Sequence, residues 1–266
     1  MSRLNPYKSS SKFATSAFFT ALLIAGCGGG GGGSISTADP LTKGLIHEWK
    51  FDGDANDSIG TLNGTTVGAV TYASAQIGQG IVLDGNTMGV TLPAVADMQF
   101  QASFTVSAWA KLNSYPSGGR QWDTIAFDGD DRGGNDPWYL SVNPGGLLEF
   151  QIDGAAFPAS PGALDHAFPL NQMTLVTATY DLPSGTMTLY LNGAQVEQLT
   201  GNKTLTPVVP LDSGSQPGTG IGNVNAFPSS AFNFAWDGTI DDVRIYSRAL
   251  SASEVLKLYN RGLAGM

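Results

Sequence analysis

The sequence predicts an all-β protein, an antiparallel β-sandwich of the jelly-roll kind that ends in a short helix. Three observations carry this prediction. Apolar and polar residues alternate with period two along several short segments. The 35 glycine and 14 proline residues fall largely between these segments and favour turns. Strand and helix patterns do not alternate as a parallel sheet requires, so two packed antiparallel sheets fit the sequence best.

The segment Ser103–Leu112 predicts the clearest strand. Its alternation gathers five apolar side chains on one face, which is expected to face the core. Trp109 points to the opposite face, which is either covered by loops or lines a groove. The five core-facing residues are Phe104, Val106, Ala108, Ala110 and Leu112.

A three-stranded meander is predicted further along the chain. Met173–Tyr180 is rich in β-branched residues and is followed by a Pro183-Ser184-Gly185 turn. Thr186–Leu191 and Ala194–Glu197 are joined by Asn192-Gly193, a dipeptide that favours a two-residue type I′ hairpin. These three segments are therefore expected to pair as antiparallel neighbours.

The last strand and the helix are predicted near the C-terminus. Gly238–Tyr246 has the composition of a strand. Ser251 and Glu254 have the spacing of a capping box, and apolar residues follow them directly. One short helix is therefore expected to close the domain.

The N-terminal residues predict export and a lipid anchor. Basic residues precede an apolar stretch, 13–25, that is too short for a stop-transfer helix, so residues 1–26 are expected to be a signal peptide. The stretch ends in Ile24-Ala25-Gly26-Cys27, which resembles the lipobox of bacterial lipoproteins. Cys27 is the only cysteine, and acylation is its expected use. The alternative is an ordinary signal peptide with an incidental cysteine.

The rest of the chain divides into a tether and one domain. Residues 27–40 begin with Cys27 and six glycines, so a flexible tether is expected. Residues 41–266 contain no further low-complexity break and no internal repeat, which predicts a single domain. The expected location is the bacterial cell envelope, lipid-anchored in the outer membrane and exposed at the surface. Gly28 beside the cysteine favours the outer membrane but does not choose a leaflet.

The charge balance excludes some partners. The predicted leader holds three basic and no acidic residues, so its removal leaves 10 basic against 22 acidic residues, a formal charge of −12. Nucleic acid is not an expected partner, because phosphate binding needs a basic surface. Calcium and neutral sugars remain compatible with this charge.

Several segments together carry a resemblance to a known family. They are Trp49–Asp54 with Asp57-Ser58, Leu83-Asp84-Gly85, Ser103–Lys111, Thr179–Gly193, and Gly238–Tyr246 with Arg248–Ser251. These segments are similar to the laminin G-like domains of the concanavalin A-like lectin and glucanase superfamily. The resemblance implies a jelly-roll recognition module in which calcium is frequently bound, and it covers nearly all of residues 41–260.

A calcium site is expected at the richest cluster of oxygen ligands. Asp52, Asp54 and Asp57 surround a flexible glycine, as a hard cation requires. The resemblance implies that this loop lies beside the last strand. Asp241 and Asp242 are expected on opposite faces of that strand, and the resemblance makes Asp242 the preferred fourth ligand. The alternative is a turn whose Asp and Asn side chains cap their own backbone.

A ligand-binding loop is expected between residues 128 and 139. Sugars are bound by flat aromatic rings together with directional carboxylate, amide or guanidinium groups, and this region supplies each type. The alternative is that Trp138 and Tyr139 begin a strand, Trp138–Val142, and pack inside. The expected ligand-binding residues are Trp122, Asp130, Arg132, Asn135, Asp136 and Trp138.

No catalytic motif is found in the sequence. The Glu-x-Asp-x-(x)-Glu strand of the superfamily's glucanases, a Gly-x-Ser-x-Gly elbow and a His-Glu-x-x-His helix are all missing. Glu149, Gln151 and Asp153 share one face of the strand Leu147–Asp153. Glu149 and Asp153 lie more than ~13 Å apart on a strand, too far for a retaining pair of carboxylates. The protein is therefore expected not to be an enzyme.

The leading interpretation is a surface-anchored recognition module that binds a carbohydrate or a glycosylated surface and holds a structural calcium. It predicts exposed aromatic rings around Gln121–Tyr139. A protein-contacting adhesion or structural lipoprotein is the first alternative, and it predicts an apolar patch or an open sheet edge. A polysaccharide-active enzyme is the second, and it predicts two carboxylates in a deep cleft.

Overall fold

The computed structural model describes residues 39–93, 98, 100, 102–128, 138–152, 164–200, 219–223 and 233–266, without the side chains of residues 164 and 165. Two antiparallel sheets and one C-terminal helix occupy these residues, which confirms the predicted all-β sandwich. The predicted signal peptide, Cys27 and all but the end of the tether lie outside the described residues.

Fifteen strands and one α-helix follow one another along the described residues. A short 3-10 helix, Pro40–Thr42, precedes the first strand. The strands are β1 Leu45–Trp49, β2 Thr65–Val67, β3 Thr71–Ser74, β4 Gln79–Asp84, β5 Gly89–Thr91, β6 Phe104–Leu112, β7 Asp123–Asp128, β8 Trp138–Val142, β9 Leu147–Gln151, β10 Leu164–Ala167, β11 Thr174–Asp181, β12 Thr186–Leu191, β13 Ala194–Thr200, β14 Gly220–Ile221 and β15 Asp237–Tyr246; the helix is α1 Ala252–Leu263.

The strands divide between an eight-stranded and a seven-stranded sheet. The eight-stranded sheet has the order β13-β12-β11-β6-β15-β4-β3, and β1 also pairs with β15. The seven-stranded sheet has the order β10-β9-β8-β7-β14-β5-β2. Strands adjacent in sequence, such as β6 and β7, lie in different sheets, as a jelly roll requires.

The main core lies between the two sheets. All five residues of β6 that were expected to face the core are buried in it. Aromatic side chains from both sheets fill the centre, and the rings of Phe104 and Phe150 meet edge to face with centroids 6.0 Å apart. The period-two alternation of the sequence thus identified the side of each strand that packs inward.

The predicted meander is present in the eight-stranded sheet. β11 pairs with β12, and β12 pairs with β13. Asn192 and Gly193 connect β12 to β13 with φ angles of 51° and 80°. Two consecutive positive φ angles are those of a type I′ turn, so this prediction is confirmed.

β15 changes its neighbour halfway along its length. Residues 237–240 pair with β4, whereas residues 243–246 pair with β1. The register with β6 shifts between Asp241 and Arg244, and Asp242 has a φ of 52°. The strand therefore contains a bulge of one extra residue at the point where one neighbour replaces the other.

The helix α1 covers the outer face of the eight-stranded sheet. Ser251 caps it and Glu254 completes the capping box, as predicted. Trp109 packs under it in a second buried cluster with Val255 and Leu258, and its ring lies 5.7 Å from that of Tyr259. The expectation that loops or an open groove meet Trp109 was wrong, because the amphipathic helix covers it.

Within the described ranges, no helix has the length and apolar character needed to cross a bilayer.

The contact between α1 and the sheet depends on a glycine. A β-carbon at Gly262 would overlap the ring of Trp109, so Gly262→Val is expected to push the helix away from the sheet. The free energy of unfolding should fall by about 2 kcal/mol, the usual cost of overpacking. Chemical denaturation measures this change. Asn260→Ala, on the exposed side of the same helix, is the matched control, and an equal loss in both variants would contradict this packing.

Candidate functional site

The outer face of the seven-stranded sheet carries polar side chains at its centre. Leu148 and Phe150 of β9 point into the core, whereas Glu149 and Gln151 point outward, as the alternation predicted. Glu149 pairs with Ser141 of β8, and Ser141 pairs with Thr124 of β7. A row of polar residues therefore crosses three neighbouring strands on the face away from the core.

Trp122 lies over this row. It precedes β7, and its indole Nε1 donates to Glu149 Oε2 at 3.1 Å, two strands away. Its ring centroid is 5.7 Å from that of Phe234, at an interplanar angle of 56°. Both rings are half-buried, so each keeps part of its surface accessible to a ligand.

Glu149 holds the indole in place and is itself held. Asn143 Nδ2 donates to Glu149 Oε1 at 2.5 Å, while Asn143 Oδ1 accepts from the backbone N–H of Leu147 at 3.1 Å. Asn143 is thus fixed by the turn between β8 and β9. Its amide and the indole occupy the two oxygens of Glu149, so the orientation of Trp122 is set before any ligand arrives.

A second pair extends the same face. Tyr139 of β8 lies opposite Gln151 of β9, and its hydroxyl donates to Gln151 Oε1. Both side chains are half-buried. We name this surface the Trp122 face; its residues are Trp122, Tyr139, Asn143, Glu149, Gln151 and Phe234.

Two of the six predicted ligand-binding residues, Trp122 and Trp138, lie within the described residues. Trp122 lies on an accessible surface, as expected for a ligand contact. Trp138 does not: it is 1% exposed, its Nε1 donates to Met98 O at 2.8 Å, and its ring packs against Phe104. The prediction of Trp138 as a ligand residue was therefore wrong, because β8 alternates and places Trp138 on the core side and Tyr139 outside. The other four predicted residues, Asp130, Arg132, Asn135 and Asp136, lie outside the described residues.

Of the six residues of the Trp122 face, only Trp122 was predicted from the sequence as a ligand contact. Phe234 and Asn143 lie far from Trp122 in the chain, and no local pattern links them. The sequence offered Glu149 only as half of a catalytic pair with Asp153, which lies outside the described residues. The alternation in β9 was the available signal, since it placed Glu149 and Gln151 outward.

Asp57, one of the predicted calcium ligands, organises its own loop. Its Oδ1 accepts from the backbone N–H groups of Glu48, Ile59 and Gly60 at 2.9 to 3.1 Å. Its Oδ2 accepts from Leu62 N at 3.0 Å and from His47 Nδ1 at 2.7 Å. Burial alone would raise the pKa of this carboxyl, but these hydrogen bonds outweigh burial and lower the pKa below 3.8. The carboxylate is saturated and unavailable to a cation.

Asp54 and Asp52 also bind backbone. Asp54 is exposed and accepts from the N–H and Nδ2 of Asn56, as in an Asx turn. Asp52 Oδ1 accepts from Gln79 N at 2.7 Å, which joins the first loop to the start of β4. The alternative interpretation of this segment, a turn capped by its own side chains, thus describes Asp54 and Asp57.

Asp242 is part of a buried charge network. Its Oδ2 lies 2.9 Å from Arg244 Nη2, and Arg244 Nε donates to Glu48 Oε1 at 2.9 Å. The bulge places two residues between the core residues Ile240 and Val243, so Asp242 lies with Arg244 and does not share the side of Ile240. Asp242 was therefore the wrong choice of ligand, because its charge is already neutralised.

Asp241 has a buried carboxylate oxygen without a hydrogen-bond partner. The residue is fully buried, its Oδ2 accepts from Ile77 N at 2.8 Å, and its Oδ1 has no hydrogen-bond partner. Burial raises its pKa to about 7, and the nearby carboxylates of Asp242 and Asp52 add to the rise. Asp52 and Asp241 thus meet at one segment, residues 76–79, whose backbone both of them bind.

The predicted calcium set does not assemble. Among the residues that the structure describes, no three acidic, histidine or cysteine side chains gather as a metal site would require. Asp54 is bound to Asn56, Asp57 to its own loop and Asp242 to Arg244. The set Asp52, Asp54, Asp57 and Asp242 therefore does not fit a calcium ion.

Comparison with known families gives one match. The model of a laminin G family, described as the concanavalin A-like lectin/glucanases superfamily, matches residues 84–256. No curated protein sequence matches the chain.

Solved structures with the same fold include carbohydrate-associated and toxin domains. Domain 4 of AbnA, an extracellular GH43 arabinanase from Geobacillus stearothermophilus solved with arabinotriose, has a TM-score of 0.56 and 24% identity over 81% of this chain and 98% of that domain. Botulinum neurotoxin type C, whose cell entry depends on interaction with two ganglioside molecules, has a TM-score of 0.61 and 17% identity over 82% of this chain and 51% of that one. The binding domain of botulinum neurotoxin DC with rat synaptotagmin II gives 0.60 and 16%, over 82% and 52%. The chain spans about half the length of these toxin chains, and the likenesses show the fold.

The hydrogen bonds of Asp57 predict a pH dependence of stability. Asp57→Asn puts an amide group against N–H donors and should cost about 3 kcal/mol of unfolding free energy near pH 7. A depressed pKa stabilises the fold above the unfolded value, near 3.9, and this contribution disappears as the pH falls through the folded value. The gap between wild type and Asp57→Asn should therefore narrow below about pH 4.

Urea denaturation from pH 7 to pH 3 measures this gap. Asp54→Asn, in the same loop but exposed, is the control and should change stability by less than about 0.5 kcal/mol. A gap for Asp57→Asn that stays constant down to pH 3 would contradict the assignment.

Proposed function

The chain belongs to the concanavalin A-like lectin and glucanase superfamily, and from this premise we propose that it is a non-catalytic module that binds carbohydrate on the Trp122 face. The observation that carries the proposal is the indole of Trp122, half-exposed and held by Glu149 beside the ring of Phe234. A flat ring of this kind stacks against the apolar C–H face of a sugar.

The polar groups of the Trp122 face suit sugar hydroxyls. Glu149 and Gln151 supply acceptors, Asn143 supplies an amide, and the Tyr139 hydroxyl can both donate and accept. Their mutual hydrogen bonds hold them in fixed positions, so few rotamers are lost when a ligand binds. Rigid rings with a small number of directional polar groups are typical of small-ligand sites.

The solved relatives support a glycan over other ligands. Arabinotriose is present in the structure of the arabinanase domain, and the type C neurotoxin interacts with gangliosides. The synaptotagmin complex favours a second candidate, a protein contact. The Trp122 face argues for the first candidate, because its centre combines aromatic rings with polar groups and is not a continuous apolar patch.

The described acids support a non-catalytic role. Asp123 and Asp241 have pKa values raised to about 7 by burial, but neither carboxyl reaches the surface. Glu149 is the one acidic side chain that the described residues place on the Trp122 face, and both of its oxygens are engaged by Trp122 and Asn143. A glycosidase needs two carboxyl groups that reach the substrate.

The proposal includes an anchor and a structural calcium. Acylated Cys27 holds the module in the cell envelope, at the outer membrane, through the glycine-rich tether. Calcium is assigned to Asp241 and Asp52 in place of the residues expected from the sequence, since Asp241 Oδ1 is buried without a partner. These two carboxylates would supply only part of the roughly six to eight oxygens that calcium takes, and backbone carbonyls or water would supply the rest. A divalent cation there would neutralise two neighbouring carboxylates and tie β15 to the loops after β1 and β3.

Glycan-array binding by the purified full-length protein, followed by calorimetry on the best ligand, tests the sugar site. Arabino-oligosaccharides and sialylated glycans are the first probes. Trp122→Ala should weaken binding at least about tenfold, because the stacking surface is lost. Glu149→Ala should weaken it less, by about threefold, because the indole remains but loses its fixed orientation.

Tyr72→Ala is the aromatic control for this experiment. Tyr72 is half-buried on β3 of the other sheet and should not affect the affinity. A blank array, or an affinity that is indifferent to Trp122→Ala, would contradict carbohydrate binding on this face. Hydrolysis of a bound oligosaccharide that Glu149→Gln abolishes would contradict the non-catalytic role.

Calcium binding is tested by unfolding with and without calcium. Saturating calcium should raise the free energy of unfolding by about 2 to 3 kcal/mol, as expected for a ligand near 100 times its Kd. Asp241→Asn should abolish this gain, whereas Asp54→Asn should retain it because Asp54 binds only Asn56. An unchanged gain in Asp241→Asn would contradict the assignment of the site.

A further inference from the structure

The helix α1 shows an apolar outer side. The inner side of the helix is buried through Val255 and Leu258, whereas Leu256 and Leu263 are 48% and 57% exposed. These two leucines are seven residues apart and so lie on the same side of the helix. Met266 follows them at 67% exposure. Of the four large hydrophobic residues exposed in the described part of the chain, three therefore belong to this C-terminal segment.

Basic residues border this apolar side. Ser253, Leu256, Lys257, Asn260, Arg261 and Met266 line a shallow groove on it, and none of the six is acidic. The chain without its predicted leader has a formal charge of −12. Asp39 pairs with both Lys257 and Arg261, so the two basic residues leave one unbalanced positive charge on this surface. Such a charge beside apolar side chains is complementary to phosphate or other anionic groups close to an apolar phase. We name this surface the α1 face.

The tether enters the domain at the same place. Lys257 Nζ lies 2.9 Å from Asp39 Oδ1, and Arg261 also pairs with Asp39. Leu41, two residues later, is buried in the cluster with Val255 and Leu258. The ion pairs of Asp39 and the burial of Leu41 thus hold the first described residues against α1.

The length of the tether limits how far this surface can move from an anchor. Asp39 is twelve residues after Cys27. A glycine-rich chain of this length has a root-mean-square span of roughly 20 Å and reaches about 40 Å when fully extended. An acylated Cys27 would therefore keep the α1 face within a short distance of the bilayer, where even a weak affinity for the membrane is effective.

We infer that the α1 face docks on the lipid surface, with Leu256, Leu263 and Met266 in the interfacial region and Lys257 and Arg261 at the phosphate groups. Apolar side chains beside basic ones are the arrangement of helices that lie in a membrane interface. The inference rests on the proposed anchor but not on the proposed sugar site. Docking fixes the orientation of the domain on the membrane, which a flexible anchor alone would not do.

A depth measurement on the full-length protein tests this. Cys27 is the only cysteine, so a cysteine introduced at Asn260 on the α1 face takes a single fluorescent label once Cys27 is acylated; acylation is read by mass spectrometry. Ser184→Cys is the matched control. Ser184 lies in the turn before β12, whereas Gly193 lies just after β12 and packs on α1. The length of β12 therefore separates Ser184 from α1 by roughly 20 Å. The membranes are phosphatidylcholine vesicles, with and without phosphatidylglycerol, that carry a nitroxide quencher on the acyl chains.

Docking predicts strong quenching at position 260, by about half or more, and little at position 184, because interfacial side chains enter the headgroup boundary by roughly 5–10 Å. Leu256→Ser with Leu263→Ser, two exposed positions, should reduce quenching at 260 to the level at 184. Equal quenching at 260 and 184, or quenching that ignores the double variant, would overturn the inference.

The remaining outcomes are also decisive. An acylated chain whose label at 260 stays in water overturns docking and leaves the anchor standing. Quenching at 260 that persists when Cys27 is replaced by Ser supports docking, because the α1 face then binds lipid without an anchor. A chain with Cys27 in place whose mass shows no acyl group overturns the anchor. A concentration-dependent dimer that the double variant abolishes, without quenching, would assign the α1 face to a second copy. Glycan binding is measured without lipid, so its success or failure is read separately.

Discussion

The packing of two adjacent carboxylates inside β15 is the constraint on which the sandwich depends. Asp241 and Asp242 lie in a buried strand at the centre of the eight-stranded sheet, where an unpaired charge is costly. The bulge gives the two carboxylates different partners. Asp242 is neutralised by Arg244, which Glu48 of β1 also contacts, whereas Asp241 binds the backbone at Ile77 with one oxygen and leaves the other unpaired. Through these contacts β15 is joined both to β1 and to the loop before β4.

The two outer faces of the sandwich differ in what covers them. After β15 the chain continues as α1, which covers Trp109 on the outer face of the eight-stranded sheet. The seven-stranded sheet keeps the Trp122 face half-exposed, with hydrogen bonds running from Trp122 to Glu149 and on to Asn143. The Trp122 face belongs to the other sheet. If the module is anchored near α1, this face would point away from the membrane.

The sequence predicted elements better than it predicted sites. Alternation in β6 and β9, the Asn192-Gly193 turn and the capping box at Ser251 are local signals, and each of them describes the structure. The bulge between Asp241 and Arg244 has no comparable signal, so alternation alone could not show that Asp242 lies with Arg244 while Ile240 faces the core. Trp138 was predicted as a ligand contact from its residue type, whereas its burial follows from the alternation of β8, which turns Trp138 toward the core. The Trp122 face combines three separate parts of the chain, and only the tertiary fold brings Phe234 and Asn143 to Trp122.

The most direct measurement is a crystal structure of the full-length protein with the oligosaccharide that it binds most tightly. We expect a sugar ring stacked on the indole of Trp122, with hydroxyl groups within hydrogen-bond distance of Glu149 or Asn143 and the indole in the orientation it has without ligand. A sugar bound at a sheet edge or on another loop, with the Trp122 face empty, would contradict carbohydrate binding by this face.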